Sequence, residues 1–193
     1  MPTSIMVIVG STRQSRSGRG IADAIAAVLA EDPQVTIDLA DLAEVSLTPD
    51  QEPLPPMTGQ YQLPTTRAWS QRVISADAVV LVTPEYNGGY PASLKAAVDA
   101  LAQEWAGKPV AIASYGFGGG SRAHRQLSEI MSNLKADLVQ ADPAVHVVFD
   151  QGDLDAQMRL SDPAAVVARQ HESVVAARVA LLQLLGVEIL ARD

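Results

Sequence analysis

The sequence predicts a three-layer α/β fold, a doubly wound parallel sheet of five strands with helices on both faces. Short β-branched runs that are apolar at successive positions recur along the chain, amphipathic helical patterns separate them, and polar glycine-rich loops follow three of the runs. Strands apolar on both sides belong in a parallel sheet buried on both faces, and the intervening helices supply its crossovers. At 193 residues with 48% hydrophobic content, the chain is read as one domain spanning residues 1–193.

The first run, Ile5 to Val9, ends in Gly10-Ser11-Thr12-Arg13-Gln14-Ser15-Arg16-Ser17-Gly18-Arg19-Gly20. Ile21, Ile25, Val28 and Leu29 then fall on one helical face. A second run, Val35 to Leu39, leads into Ala43 to Pro64, where Pro49, Pro53, Pro55, Pro56 and Pro64 oppose both helix and ladder. That segment is either a flap or a plain connector. The third run, Ala78 to Thr83, opens into Pro84-Glu85-Tyr86-Asn87-Gly88-Gly89-Tyr90-Pro91, followed by helical spacing of Leu94, Ala97, Val98 and Leu101. The fourth, Val110 to Ser114, opens into Tyr115-Gly116-Phe117-Gly118-Gly119-Gly120-Ser121-Arg122, with Leu127, Ile130, Met131 and Leu134 repeating the helical spacing. Val145 to Phe149 is the fifth run. Asp162 to Leu185 reads as one long final helix, capped at Ser161 or Asp162 with Pro163 just inside.

Composition narrows the function. The absence of cysteine removes disulfides, iron–sulfur clusters, thiolate metal sites and cysteine nucleophiles, so redox chemistry would need a bound cofactor. A net charge of −8 opposes a broad nucleic-acid or anionic-membrane surface. No apolar run reaches the roughly 18 residues of a membrane span, and the expected location is the cytoplasm. His124, His146 and His171 share no metal-ligand spacing, and no metal site is expected.

Against that acidic background, the first loop carries Arg13, Arg16 and Arg19 with no acid before Asp23. A strand ending in such a loop aims backbone N–H groups, a helix N-terminus and serine hydroxyls at one point, which suits a phosphate. The two later loops let the backbone approach a flat ligand, with Tyr86 and Tyr115 as candidate aromatic walls. All three lie at the carboxyl ends of strands, where doubly wound sheets bind ligands. Two other phosphate motifs fail: Asp23 occupies the third glycine position of a dinucleotide fingerprint, which weakens Asp38 as a ribose-binding acid, and no Gly-Lys-Ser/Thr closes an ATP-type loop.

Three ordered motifs, Gly10 to Arg13 with Arg16 to Gly18, Pro84 to Asn87 with Pro91, Leu94 and Lys95, and Gly116 to Arg122, resemble the NADPH-dependent FMN reductase family of flavodoxin-like proteins, over about residues 4–150. The resemblance implies strand order 2-1-3-4-5 and an FMN-dependent oxidoreductase that takes hydride from NADPH or NADH and passes electrons to free flavin, a quinone or a similar small acceptor by ping-pong turnover. It implies that Ser11, Arg13, Ser15, Arg16, Ser17 and Gly18 hold the FMN phosphate. Pro84, Glu85, Tyr86 and Asn87 would line the ring, and Ser114, Tyr115, Gly116, Gly119 and Gly120 would complete its pocket. A homodimer or homotetramer is implied, with Tyr90, Trp105 and the proline-rich segment as candidates to complete a neighbour's pocket. No catalytic side chain is assigned; Glu85 is read as a turn-bracing carboxylate, and Arg122 either meets a nicotinamide phosphate or pairs with a surface acid. The alternative is an FMN-binding electron carrier or interaction protein without nicotinamide turnover.

Overall fold

Residues 2–188 are described by the computed structural model. Four parallel strands, β1 (Thr3–Val9), β2 (Val35–Asp41), β3 (Ala78–Pro84) and β4 (Pro109–Gly116), pair in the order β2-β1-β3-β4. A two-residue strand not expected from the sequence, β5 (Asp137–Leu138), pairs with the start of β4, and the expected fifth strand, Val145 to Phe149, is found as β6 (Val145–Val148), paired with the end of β4. Order 2-1-3-4-5 is observed, with a sixth strand added on the β4 edge. Between β5 and β6 lies Pro143, which has no N–H to give to a ladder.

Alternation of side chains across the strands separates two cores. Ile5, Val7 and Val9 of β1 face α1 (Gly18–Leu29) and the C-terminal helices, whereas Met6 and Ile8 face α2 (Pro64–Ser75), α3 (Ala92–Asp99) and α4 (Ser121–Asn133). The three layers follow from that division. Trp69 and Trp105 are both buried in the second core, and their indole N–H groups donate to the carbonyls of Ala97 at 2.8 Å and Val98 at 3.0 Å. Trp105 is thus packed inside the protein and does not extend toward a neighbouring chain.

The final helix is two helices, α5 (Pro163–Ala168) and α6 (His171–Leu184). Asp162 caps α5 by accepting from the Ala165 N–H at 2.9 Å, as its position before Pro163 suggests. Gln170 then leaves helical geometry at φ −116°, and Arg169 is drawn onto Asp153. Both helices pack against the first core through Val166, Val167, Val174, Leu181 and Leu182.

The proline-rich segment is ordered by specific bonds. It contains two short 3₁₀ turns, Pro49–Gln51 and Pro56–Thr58. The Glu52 carboxylate accepts from the N–H groups of Gln62 and Leu63, Gln103 donates to the Met57 carbonyl, and the Tyr61 hydroxyl donates to Glu104 at 2.9 Å.

Gly18, at the start of α1, lies directly over β4: a Cβ there would overlap the hydroxyl of the buried Tyr115. Glycine thereby sets how closely the N-terminus of α1 approaches the sheet. Gly18→Ala is expected to destabilise the fold by about 1–3 kcal/mol. Adding Tyr115→Phe, which removes the overlapping oxygen, should recover part of that loss in denaturant unfolding.

Candidate functional site

At the carboxyl ends of β1, β3 and β4, the three glycine-rich loops converge on a cleft of about 540 Å³. Arg13, Ser15, Arg16 and Ser17 line it from the first loop, Pro84, Glu85 and Tyr86 from the second, and Tyr115, Gly116 and Gly120 from the third. Ser11, Gly18, Ser114 and Gly119 are buried outside this lining and Asn87 is exposed on a turn beyond it, and each has a supporting contact or conformation.

Ser11 is fully buried, and its hydroxyl is 2.6 Å from the Tyr86 hydroxyl, tying the first loop to the second. Tyr115 is also buried, with its hydroxyl close to Ser11 and Gly18; burial, aided by Tyr86, raises its pKa and keeps the phenol protonated. Its ring therefore belongs to the core beneath the loop. Asn87, at φ 52°, precedes Gly88 in a tight turn closed by paired bonds between Tyr86 and Gly89, the Asn-Gly chemistry of a two-residue hairpin. Ser114 donates to the Gly119 carbonyl at 2.6 Å and meets His146 Nδ1 at 2.7 Å, bracing the third loop from below. Gly120, at φ 72°, ends that loop in a left-handed conformation in which a Cβ would press on the Tyr115 backbone.

The arginines divide into two roles. Arg16 grips Asp41 with two bonds, Nη1–Oδ1 at 2.6 Å and Nη2–Oδ2 at 2.8 Å, and donates from Nη1 to the Ser11 carbonyl at 2.7 Å. The Asp41 side chain is 1% exposed. Burial pushes its carboxyl up, but bonds from Arg16, the Ala43 N–H and Arg19 outweigh that and hold it below its ordinary value. Arg19 divides its charge among Asp23, Asp41 and Glu44. Arg13 meets no carboxylate among the described residues; its guanidinium lies 3.6 Å from the centre of the Tyr86 ring.

The first turn of α1 has no side-chain cap and no acid. Ser17 holds the cap position, but its hydroxyl accepts from the Leu160 N–H at 2.8 Å. The N–H groups at the start of α1 are therefore left to another acceptor, with the positive end of the helix dipole behind them. That uncapped turn beside Arg13, opening on a cleft with an aromatic and glycine-rich wall, fits the phosphate and ring of a mononucleotide.

Glu85 and Arg122 are mutually engaged. One Glu85 oxygen accepts from the Arg122 backbone N–H at 3.0 Å at the start of α4, and the other lies 3.4 Å from Arg122 Nε. Asp38 is held by Arg72 through two bonds at 2.7 and 2.8 Å. Sequence reasoning missed Phe117, Gly118, Ser121, Phe149, Leu154 and Met158, which also line the cleft. Phe117, Gly118 and Ser121 lie within the third glycine-rich loop, whereas Leu154 and Met158 belong to a stretch with neither periodicity nor motif.

Fold and cleft together define a flavodoxin-type α/β protein with a mononucleotide-sized site at the strand ends. The chain belongs to the NADPH-dependent FMN reductase family, whose model matches residues 3–150. An NAD(P)H-dependent FMN reductase of Schizosaccharomyces pombe is 38% identical over 149 residues, covering 76% of this chain and 74% of that protein. A 2-hydroxy-1,4-benzoquinone reductase of Burkholderia sp is 30% identical over 164 residues, covering 81% of this chain and 84% of that one. Among solved structures, FerB, a flavoenzyme NAD(P)H:acceptor oxidoreductase of Paracoccus denitrificans, shares the fold with a TM-score of 0.67 at 22% identity, covering 94% of this chain and 98% of that chain.

Removing Arg16 leaves the buried Asp41 carboxylate with only the longer contact to Arg19 and the Ala43 N–H, and removing the Asp41 charge leaves Arg16 without a carboxylate partner, so Arg16→Ala and Asp41→Asn should each lower stability by about 2 kcal/mol. Because the folded-state pKa of Asp41 is depressed, its contribution is present above the unfolded carboxyl value near 3.8 and is lost as pH falls below it. Denaturant midpoints followed from about pH 6 to about pH 3 should fall less steeply for Asp41→Asn than for the unaltered protein.

Proposed function

We propose that this chain holds FMN in the cleft and acts as an NAD(P)H-dependent oxidoreductase, with NADPH or NADH as donor and free flavin, a quinone or a similar small molecule as acceptor. The observation that carries this reading is the uncapped N-terminus of α1 beside Arg13, opening on the cleft. Family membership supports it.

Arg13, Ser15 and the backbone N–H groups of Gly18, Arg19 and Gly20 would hold the phosphate. Arg16, Ser11 and Ser17 act through the loop: Arg16 fixes it to Asp41, Ser11 fixes it to Tyr86, and Ser17 fixes it to Leu160 while leaving the helix end open. Pro84, Glu85 and Tyr86 would line one side of the ring, with Asn87 shaping the turn that presents them. Gly116 and Gly120 would approach it from the other side, on a loop that Ser114, Tyr115 and Gly119 support. Bound there, the flavin supplies hydride acceptance and electron release, so the protein's task is positioning and electrostatics. Glu85 is occupied at the start of α4, and no proton transfer is assigned to it.

One cleft serving donor and acceptor in turn gives ping-pong kinetics. The cytoplasm, where nicotinamide dinucleotides are supplied, is the place of action we infer. A homodimer or homotetramer is the inferred assembly, supported by exposed Leu54, Met57 and Ile74 on and beside the proline-rich segment.

The protein is to be loaded with FMN, freed of excess flavin and mixed with NADPH without oxygen. Rapid bleaching of the visible flavin band is expected. Retained flavin that stays oxidised would contradict the enzyme reading and favour an electron carrier, and failure to retain flavin would overturn the cleft assignment. Arg13→Ala should weaken FMN binding by about tenfold or more, the loss of one charge-assisted phosphate contact, and nicotinamide affinity far less.

A further inference from the structure

The cleft lining combines charge with exposed apolar surface. Arg13 lies on one of its loops, and Phe117 is 58% exposed and Met158 64% exposed, with Leu154 and Phe149 in the same lining. The Phe117 and Phe149 rings pack at 5.2 Å with a 56° tilt, which holds the exposed ring in place.

Met158 is presented by a braced strap, residues 150–160, that extends beyond the region matched by the family. Asp150 and Asp153 cap each other's backbone at its start, and Arg169, just after α5, pairs with Asp153. Leu154 and Leu160 bridge its two arms, and the Leu160 N–H donates to Ser17 of the first loop. At the tip, one Asp155 oxygen accepts from the N–H groups of Gln157 and Arg159, both at 2.9 Å. Met158 sits between them at φ 59°. A long apolar side chain in that left-handed conformation costs about 1–2 kcal/mol, which glycine or asparagine would largely avoid. The strap thus bears both backbone strain and an exposed apolar side chain at a residue that lines the cleft.

We propose that Met158, Leu154 and Phe117 form an acceptor-selecting wall that admits planar electron acceptors with an apolar edge, such as alkyl-substituted quinones, in preference to hydrophilic ones. The proposal rests on the reading that FMN occupies the same cleft. The net reaction is a two-electron transfer in which a quinone, the hydride of NADPH and one solvent proton give the hydroquinone and NADP⁺. Covering the thioether and the ring edge removes apolar surface from water, and a polar acceptor gains nothing from them.

The test uses FMN-loaded protein and Met158→Asn, which keeps the left-handed backbone while removing the apolar side chain. Steady-state kinetics are measured with 2-methyl-1,4-naphthoquinone and with ferricyanide, and naphthoquinone binding to the oxidised holoprotein is measured by calorimetry without NADPH. The ratio of kcat/KM for naphthoquinone to that for ferricyanide should fall about tenfold, and the naphthoquinone Kd should rise by a similar factor. Phe117→Ser should act in the same direction, and Met158→Gly should do so while raising Tm.

An unchanged ratio and Kd would overturn the wall. So would a parallel loss of FMN affinity, which would show that the flavin itself covers these side chains. If the unaltered holoprotein binds FMN but is not reduced by NADPH, the enzyme reading fails by itself, and the calorimetric comparison still decides the wall. Protein that retains no FMN overturns both.

Discussion

The Arg16 guanidinium, gripped at both nitrogens by the buried Asp41 carboxylate, fixes the first loop to the end of β2 and gives the site its shape. Few arrangements in the molecule place a charge so far from water, and the geometry compensates: two short bonds, a third to the Ser11 carbonyl, and the Ala43 N–H on the carboxylate. With Arg16 committed to that role, the loop's positive potential toward the cleft comes from Arg13 and from the helix behind it. The chain is acidic overall, so this local reversal of sign is what would gather an anionic ligand here.

A second layer of restraint acts beneath the loops. The hydroxyls of Ser11, Tyr86 and Tyr115 come together under the first loop, and Ser114 holds the third loop through Gly119. These polar groups bond one another and the backbone, while the cleft lining combines glycine-rich backbone, aromatic and apolar side chains and the paired charges of Arg16 and Glu85 with Arg13, which lacks a carboxylate partner among the described residues. Such a site is braced from beneath and carries both cationic and apolar lining. It suits a cofactor that performs the electron chemistry itself.

Much of this was legible in the sequence, for identifiable reasons. Strands β1, β3 and β4 are buried on both faces, so Ile5 to Val9 or Ala78 to Thr83 read as continuous apolar runs, and α1, α3 and α4 show their buried stripes at helical spacing. The loop motifs marked the cleft because glycine, serine and arginine at strand ends carry a local meaning. β5, with two residues, is too short to show a period, and nothing local marks the break at Gln170 between α5 and α6. Partner choice was illegible for the same reason. Arg16 and Asp41 are 25 positions apart, and only the fold reveals that Arg16 clamps the loop while Arg13 stays available. Met158 was missed because a strained turn residue has no signature until its φ is known.

The most direct measurement is a crystal structure of the FMN complex. The phosphate should lie against the N–H groups at the start of α1 and the Arg13 guanidinium, with Arg16 still bonded to Asp41 through both nitrogens. A phosphate bound instead by an Arg16 that had left Asp41, or flavin lodged outside the cleft, would contradict this division of roles.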